Sequence, residues 1–397
     1  MTSTTVKASV LNGARDLRLV SQSPPPTTRV LTDPPNQIER ELAPLAADEV
    51  HVSVKATGLC GSDLHYFAHN RNGDILVQEP LTLGHESSGV VVAAGPEAEG
   101  LRPGDHVALE VGLPCGRCAL CDAGRYNICR DMRFRSSARA MPHAQGTLQG
   151  MISHPAKWCH KLPEGVSLEL GALAEPLSVA MHARDRASLP AGSTVLVFGA
   201  GSVGLLCAAV SKAGGAKTVV IADIQEDRVR FAVDNGFADA AVVVPMRRPE
   251  TIEDKLAFAR EVAAMVAAAE RKEGGGPVGE VDGTYECTGV ESCLQASIYA
   301  TGPGGKIMLI GMGNPIQTLP ISAASLREVD LVGVFRYANT YPKAIQLLAS
   351  NDPLLPDLRK LITHRYAGMD SIPQAFDMAG KVKDEEGKLV LKVMIDM

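Results

Sequence analysis

The sequence has no run of 18 apolar residues, so no segment reads as a membrane-spanning helix. It has no surplus of positive charge either. A formal net charge of −6 argues against nucleic acid or an anionic membrane as partner. The first ten residues, Met1 to Val10, are polar and Thr-rich and hold no apolar core of a secretory signal, so a reducing compartment, the cytosol, is expected. In that setting disulfides are disfavoured. The nine cysteines, an odd number with four of them close together, then favour metal binding. No internal repeat is present. What remains is an ordinary globular composition, 45% hydrophobic and 21% charged, in a chain of 397 residues that is long enough for two or three domains.

The stretch from Cys60 to Glu86 organises the rest. It reads Cys60-Gly-Ser62-Asp63-Leu-His65-Tyr66 and, after a Gly- and Asn-containing loop, Gly84-His85-Glu86. A cysteine before glycine is by itself usually a small buried hydrophobe, and a His-Glu pair is usually surface or a satisfied core pair. Together, Cys60, His85 and Glu86 offer one thiolate, one imidazole and one carboxylate, the mixed donor set of a catalytic zinc with an open fourth position. Zinc held in that way is a Lewis acid. A second cluster, Cys115, Cys118, Cys121 and Cys129, has the spacing C-x2-C-x2-C-x7-C. Four thiolates can close a tetrahedral structural zinc site; an iron–sulfur cluster or disulfides are the alternatives. The rest of the chain favours zinc.

Residues 1–20 alternate like a half-buried hairpin, and 21–49 are Pro- and Thr-rich and read as an irregular surface insertion. Val50, Val52, Val54 and Ala56 mark a clean strand from Glu49 to Thr57 that leads to Cys60. Further strands are expected at Gly89–Ala94 and Asp105–Leu109, so the first third is mostly β. From Thr194 the pattern becomes βα. The apolar run Thr194–Phe198 enters Gly199-Ala-Gly201-Ser-Val203-Gly204, a helical segment follows over Leu205–Lys212, and the next strand, Thr218–Ala222, ends at Asp223. A glycine fingerprint between strand and helix, with an acidic residue nineteen positions after Gly204, is the context of a dinucleotide site. The glycines allow close approach of the pyrophosphate at the helix N-terminus. Asp223 would accept from the adenosine ribose hydroxyls and repel a 2′-phosphate, so NAD is expected over NADP. Strands at Ala241–Val244, Gly283–Cys287, Lys306–Ile310 and Leu331–Phe335 complete a doubly wound sheet. The Ala-rich helix at Ile252–Lys272 reads as a surface extension; helices near 342–350 and 373–381 and a last strand at Leu389–Ile395 close the chain.

These segments, with Leu83-Gly-His-Glu86, Gly124-Arg-Tyr-Asn127, Glu175-Pro-Leu-Ser178, Glu286-Cys-Thr-Gly289, Arg327-Glu-Val-Asp330, Gly333-Val-Phe-Arg-Tyr337 and Thr363-His-Arg365, resemble the zinc-dependent medium-chain dehydrogenases. More narrowly, they resemble the sorbitol/xylitol/L-arabinitol branch, from about Glu49 to the C-terminus. The 21–49 insertion departs from that pattern.

The resemblance implies an α/β fold: a Rossmann doubly wound parallel sheet domain plus a mostly β GroES-like catalytic domain. The implied boundaries are 1–178 catalytic, 179–335 NAD-binding and 336–397 returning to the catalytic domain. It implies two zinc ions per chain and NAD. Cys60, His85 and Glu86 correspond to catalytic zinc ligands, with Glu175 reaching the ion through water or, alternatively, directly. Ser62, the nicotinamide ribose and His65 would form the proton relay, with Glu175 and a water as a possible base. Val203, Arg228, Ile310, Gly311, Met312, Val334, Phe335 and Arg336 match cofactor-lining positions, and Tyr66, Glu175, Arg336 and Tyr337 match substrate contacts. The implied activity is NAD-dependent oxidation of a polyol to a ketose by a homo-oligomer, a tetramer in the family, with no nucleic-acid or membrane partner. L-arabinitol 4-dehydrogenation, threonine-type or simple alcohol dehydrogenation, and a non-catalytic structural or sensing member of the fold are the competing readings.

Overall fold

The computed structural model describes residues 5–22, 40–42, 44–271 and 275–397. The expected insertion at 21–49 falls largely outside these residues. The chain divides into two compact units: one of 1–175, 341–349 and 361–397, the other of 176–340 and 350–360.

The first unit is built on a seven-stranded sheet. Its order is Cys159–Lys161, His106–Leu109, Glu86–Ala94, Glu49–Gly58, Lys392–Asp396, Ile362–Ala367, with Met151–Pro155 also paired to Glu49–Gly58. The alternation in Glu49–Gly58 is real burial: Val50, Val52, Val54 and Ala56 all face the core. The chain's last strand lies antiparallel to Glu49–Gly58, pairing Met394 with Gly58, while Glu86–Ala94 pairs Glu86 with the same Gly58 on its other side. Two distant segments thus meet at the residue that precedes Leu59 and Cys60. The expected hairpin is present as Thr5–Gly13 and Asp16–Gln22. A helix, Gly61–His69, starts at once after Cys60; no helix was expected there. Its Tyr66 and Phe67, with Leu59 just before it, pack with Leu81, Leu83, Leu148, Phe376 and Val393.

The second unit is a six-stranded, all-parallel sheet in the order Ala240–Val243, Thr218–Asp223, Thr194–Phe198, Val281–Glu286, Thr301–Leu309, Asp330–Gly333. The order reverses beside Thr194–Phe198, which places a ligand crevice at the carboxyl ends of the central strands. The helix Ile252–Ala268 is not the surface extension that its length and composition suggest. Its Phe258, Ala259, Val262, Ala263 and Val266 are buried against Leu196, Phe198, Val220 and Val242. The i, i+4, i+8 stripe is masked in sequence by alanines on the other faces. Thr251 caps its start by accepting from the Asp254 amide.

Candidate active site

Cys60 occupies the N-cap of Gly61–His69, and His85 follows Gly84, whose φ of 92° turns the chain into the strand that begins at Glu86. One donor atom from each of Cys60, His85 and Glu86 lies within 4.8 Å of the others. The helix places Asp63 beneath His85. Asp63 Oδ1 lies 3.1 Å from His85 Nδ1 and also accepts from Ser136 Oγ and from the Gly84 amide at 3.2 Å. Asp63 therefore fixes the tautomer with its proton on Nδ1 and leaves Nε2 as the ligand atom. Burial alone would lower the His85 imidazole, but Asp63 and Cys60 together hold it well above its ordinary value. Burial likewise pushes Asp63 up, and His85, Ser136 and the Gly84 amide more than offset that. The surroundings thus favour positive charge at this point. Soft sulfur, imidazole and carboxylate donors, with a carboxylate orienting the imidazole, fit zinc.

Glu86 is held on its other side by Lys392, from the last strand. The buried Lys392 ammonium donates to Glu86 Oε1 at 2.8 Å, to Oε2 at 2.7 Å and to the Leu59 carbonyl at 3.0 Å. All three of its N–H donors are used. Burial disfavours the charged ammonium, yet Glu86, with Cys60 and Glu175, raises it above the ordinary lysine value. Gly58 has no side chain for a steric reason: a Cβ there would lie 2.4 Å from Glu86 Oε2. Glu175, buried in the first turn of Ala174–Ala187, stands within electrostatic reach of Lys392 but outside the close Cys60–His85–Glu86 set.

Ser62 Oγ lies 3.5 Å from His85 Nε2, and His65 is exposed one helical turn on. Tyr66 is buried in the core, where its hydroxyl accepts from the Ala138 amide at 3.3 Å.

The four lobe cysteines converge as their spacing requires. Cys118 Sγ is 3.5 Å from Cys121 Sγ and 3.9 Å from Cys129 Sγ, and Cys115 Sγ is 4.0 Å from Cys121 Sγ. Tetrahedral zinc with Zn–S near 2.3 Å sets its sulfurs about 3.8 Å apart. Backbone and side chain of Cys121 bring the Cys118 thiol down to about 7, while burial and Cys118 push the Cys121 thiol up to about 11, as in two thiols that share a proton. Tyr126, between the third and fourth cysteines, ties the lobe to the sheet. Its hydroxyl donates to buried Glu110 at 2.7 Å, and His160 Nε2 lies 2.7 Å from the other Glu110 oxygen.

In the second unit the glycine fingerprint forms the turn from Thr194–Phe198 into Ser202–Ala213. A Cβ on Gly204 would lie 1.8 Å from the Gly199 carbonyl, so the turn requires glycine there. Asp223 ends its strand with Oδ2 accepting from the Ala200 amide at 2.7 Å and Oδ1 from the Gln225 amide at 2.8 Å. The Arg228 guanidinium approaches Gly201. Ile310, Gly311 and Met312 follow Thr301–Leu309, and Val334, Phe335 and Arg336 follow Asp330–Gly333, all at carboxyl ends of strands. Arg336 has a left-handed backbone, φ 51°, and its guanidinium stands 4.7 Å from the Phe335 ring centre. Such a conformation in a non-glycine residue is uncommon outside turns and functional sites. Tyr337 is buried.

Two participants escaped the sequence reading. Asp63 could have been found, because it lies on the same short helix as Ser62. Lys392 could not: it lies 306 residues beyond Glu86 in the chain.

A thiolate–imidazole–carboxylate set in a β-rich unit and a dinucleotide crevice in a parallel sheet together define a zinc-binding dehydrogenase. Residues 46–164 match the alcohol dehydrogenase GroES-like domain and residues 202–350 the zinc-binding dehydrogenase domain. The chain is 39% identical to the sorbitol dehydrogenase of Arabidopsis thaliana, over 88% of each chain. It is 41% identical to that of Gallus gallus, over 87% of this chain and 89% of the relative. It is 42% identical to a probable D-xylulose reductase of Emericella nidulans, over 79% and 82%. Among solved structures it superposes on an Escherichia coli oxidoreductase/dehydrogenase of unknown specificity with TM-score 0.79 and 28% identity, over 99% of each chain. The chain belongs to the zinc-binding medium-chain dehydrogenases, in the branch of these polyol-type relatives, and is an oxidoreductase. Zinc and a nicotinamide dinucleotide are the groups its two sites accommodate.

Proposed function

We propose that this enzyme oxidises a sugar alcohol to a ketose with NAD as hydride acceptor. The observation that carries the reading is the Cys60–His85–Glu86 donor set, with His85 held in one tautomer by Asp63. A zinc ion bound there would supply Lewis acidity to a substrate hydroxyl. In this reading Ser62, beside His85, takes up the hydroxyl proton and exposed His65 releases it to water. Glu175 acts through a water in this reading, since Cys60, His85 and Glu86 already form the close set. Asp223 receives the adenosine ribose hydroxyls, and its carboxylate repels a 2′-phosphate, which selects NAD. The Arg336 guanidinium, a rigid fork of donors, suits vicinal hydroxyls, and Tyr337 adds a polar contact. The sorbitol dehydrogenase and D-xylulose reductase relatives support the substrate class. The proposal includes a cytosolic homo-oligomer, which sedimentation and cell fractionation test.

The deciding experiment is NADH formation against sorbitol, xylitol, L-arabinitol, threonine and ethanol. A site built to pair hydroxyls leaves its own donors unsatisfied when they are missing, so kcat/KM for the polyols should exceed that for ethanol by at least about 100-fold. NADP should serve poorly. Equal turnover of ethanol, or of NADP, would refute the reading.

A further inference from the structure

Glu286 ends the strand Val281–Glu286, and its side chain is buried without serving any role described so far. Among the described residues, every hydrogen-bond partner of its carboxylate is a donor of the turn that follows. Oε1 accepts from the Thr288 amide at 2.8 Å, from the Thr288 hydroxyl and from the Gly289 amide at 3.1 Å, and Oε2 lies 3.0 Å from the same Gly289 amide. The Thr288 hydroxyl in turn accepts from the Val290 amide at 3.0 Å. Burial raises this carboxyl above its ordinary value, and the Thr288 and Gly289 donors work against that rise.

The main chain of the same residue gathers the neighbouring strand end. The Glu286 carbonyl accepts from the Ile310 amide at 3.0 Å and the Gly311 amide at 2.8 Å, and the next amide, Cys287, donates to the Phe198 carbonyl at 3.0 Å. The turn so fixed is wedged between the other two loops of the crevice. A Cβ on Gly199 would lie 3.0 Å from Thr288 Cγ2, and one on Gly311 would lie 2.0 Å from the Gly289 nitrogen. One residue therefore ties together the carboxyl ends of Thr194–Phe198, Val281–Glu286 and Thr301–Leu309, adjacent in the sheet.

We propose that Glu286 is a positioning residue for the dinucleotide, acting through the 288–289 turn on its nicotinamide half. This rests on the reading of the second unit as the NAD site. The direction follows from the sheet order. Asp223, which receives the adenosine ribose, lies on one side of Thr194–Phe198 and Glu286 on the other, so a dinucleotide that starts at Asp223 and crosses the glycine turn arrives at the Glu286 turn. The adenosine half does not reach it. A rigid turn lowers the ordering cost of binding for the far half alone.

The test is binding of NADH and of AMP to the full-length enzyme by titration. Glu286→Ala should weaken NADH about tenfold and leave AMP within about twofold of wild type. Glu286→Gln, which keeps one oxygen to accept from Thr288, should hold NADH within about threefold. If Glu286→Ala does not fold, Thr288→Val carries the test, because it keeps a branched side chain against Gly199 and removes the hydroxyl; it should weaken NADH several-fold with AMP unchanged. Unchanged NADH affinity in the folded variants overturns the proposal, and so does equal loss of NADH and AMP, which marks a merely structural role. A wild-type enzyme that bound neither ligand would instead overturn the NAD reading on which it rests.

Discussion

Replacing Lys392 by methionine separates what the last strand contributes to the metal site from what the ligands contribute. The substitution keeps the volume of the stem and removes an ammonium that all three of its acceptors use: Glu86 Oε1, Glu86 Oε2 and the Leu59 carbonyl. Both members of the pair are buried. Removing one partner of a buried ion pair leaves an uncompensated charge and costs about 3–5 kcal/mol. Against a total stability of about 5–15 kcal/mol this is a large share. With a urea slope near 3 kcal/mol/M, the unfolding midpoint should fall by about 1–1.7 M. The assay is built into the chain: Trp158 is the only tryptophan and lies in the first unit, so its fluorescence follows that unit alone. The loss should be greatest in chelator-treated protein, where no other cation neutralises Glu86, and smaller after zinc is restored. The double variant Glu86→Gln/Lys392→Met, with no charge left behind, should recover much of the stability. A Lys392→Met protein that unfolds at the wild-type urea concentration after chelation would refute the account of this pair.

Metal content and acid stability give two further checks. Elemental analysis should find two zinc ions per chain, one for each donor cluster; Cys115→Ser should retain one and melt several degrees lower, because a structural ion carries folding energy for its lobe, and full zinc content in that variant would remove the lobe as a site. His154 is locked neutral, with Nδ1 3.1 Å from the Arg135 Nε–H and Nε2 3.0 Å from the Glu110 carbonyl, and burial followed by Arg135 holds it well below its ordinary value. The unfolded chain takes up a proton below about pH 6.5 that the folded chain does not, so this contribution is complete above that pH and declines by about 1.4 kcal/mol per unit beneath it. Urea midpoints between pH 7.5 and 5.5 should show the decline, and His154→Gln should flatten it; an unaltered slope in that variant contradicts the assignment.

The ligand chemistry was legible in the linear chain because it is local. Cys60 and His85 bracket one short segment made of a helix and three two-residue strands, the four lobe cysteines share one loop, and Gly199 to Asp223 spans one strand–helix–strand unit, so their approach is written in short stretches of chain. The alternation of Val50, Val52, Val54 and Ala56 likewise declares a strand with one buried face. Elements without a strong period were missed or misjudged. The helix Gly61–His69 is short and begins with Gly-Ser, and Ile252–Ala268 hides its core stripe among alanines. Short strands such as Ile362–Ala367 owe their conformation to a neighbour, here Lys392–Asp396, that comes twenty-odd residues later.

By itself, then, the sequence determined the donor types, the cofactor fingerprint and the alternation of strands and helices, because each is written in a short stretch of chain. Only the tertiary structure decided the environment in which those donors work. Lys392 meets Glu86 because the last strand pairs beside Gly58. Ser136 meets Asp63, and Glu286 binds three strand ends into one rim, for the same kind of reason. Partners that satisfy a buried charge must come from whatever segment the sheet brings alongside, and burial, which sets the energy of that charge, exists only once the sheet has formed.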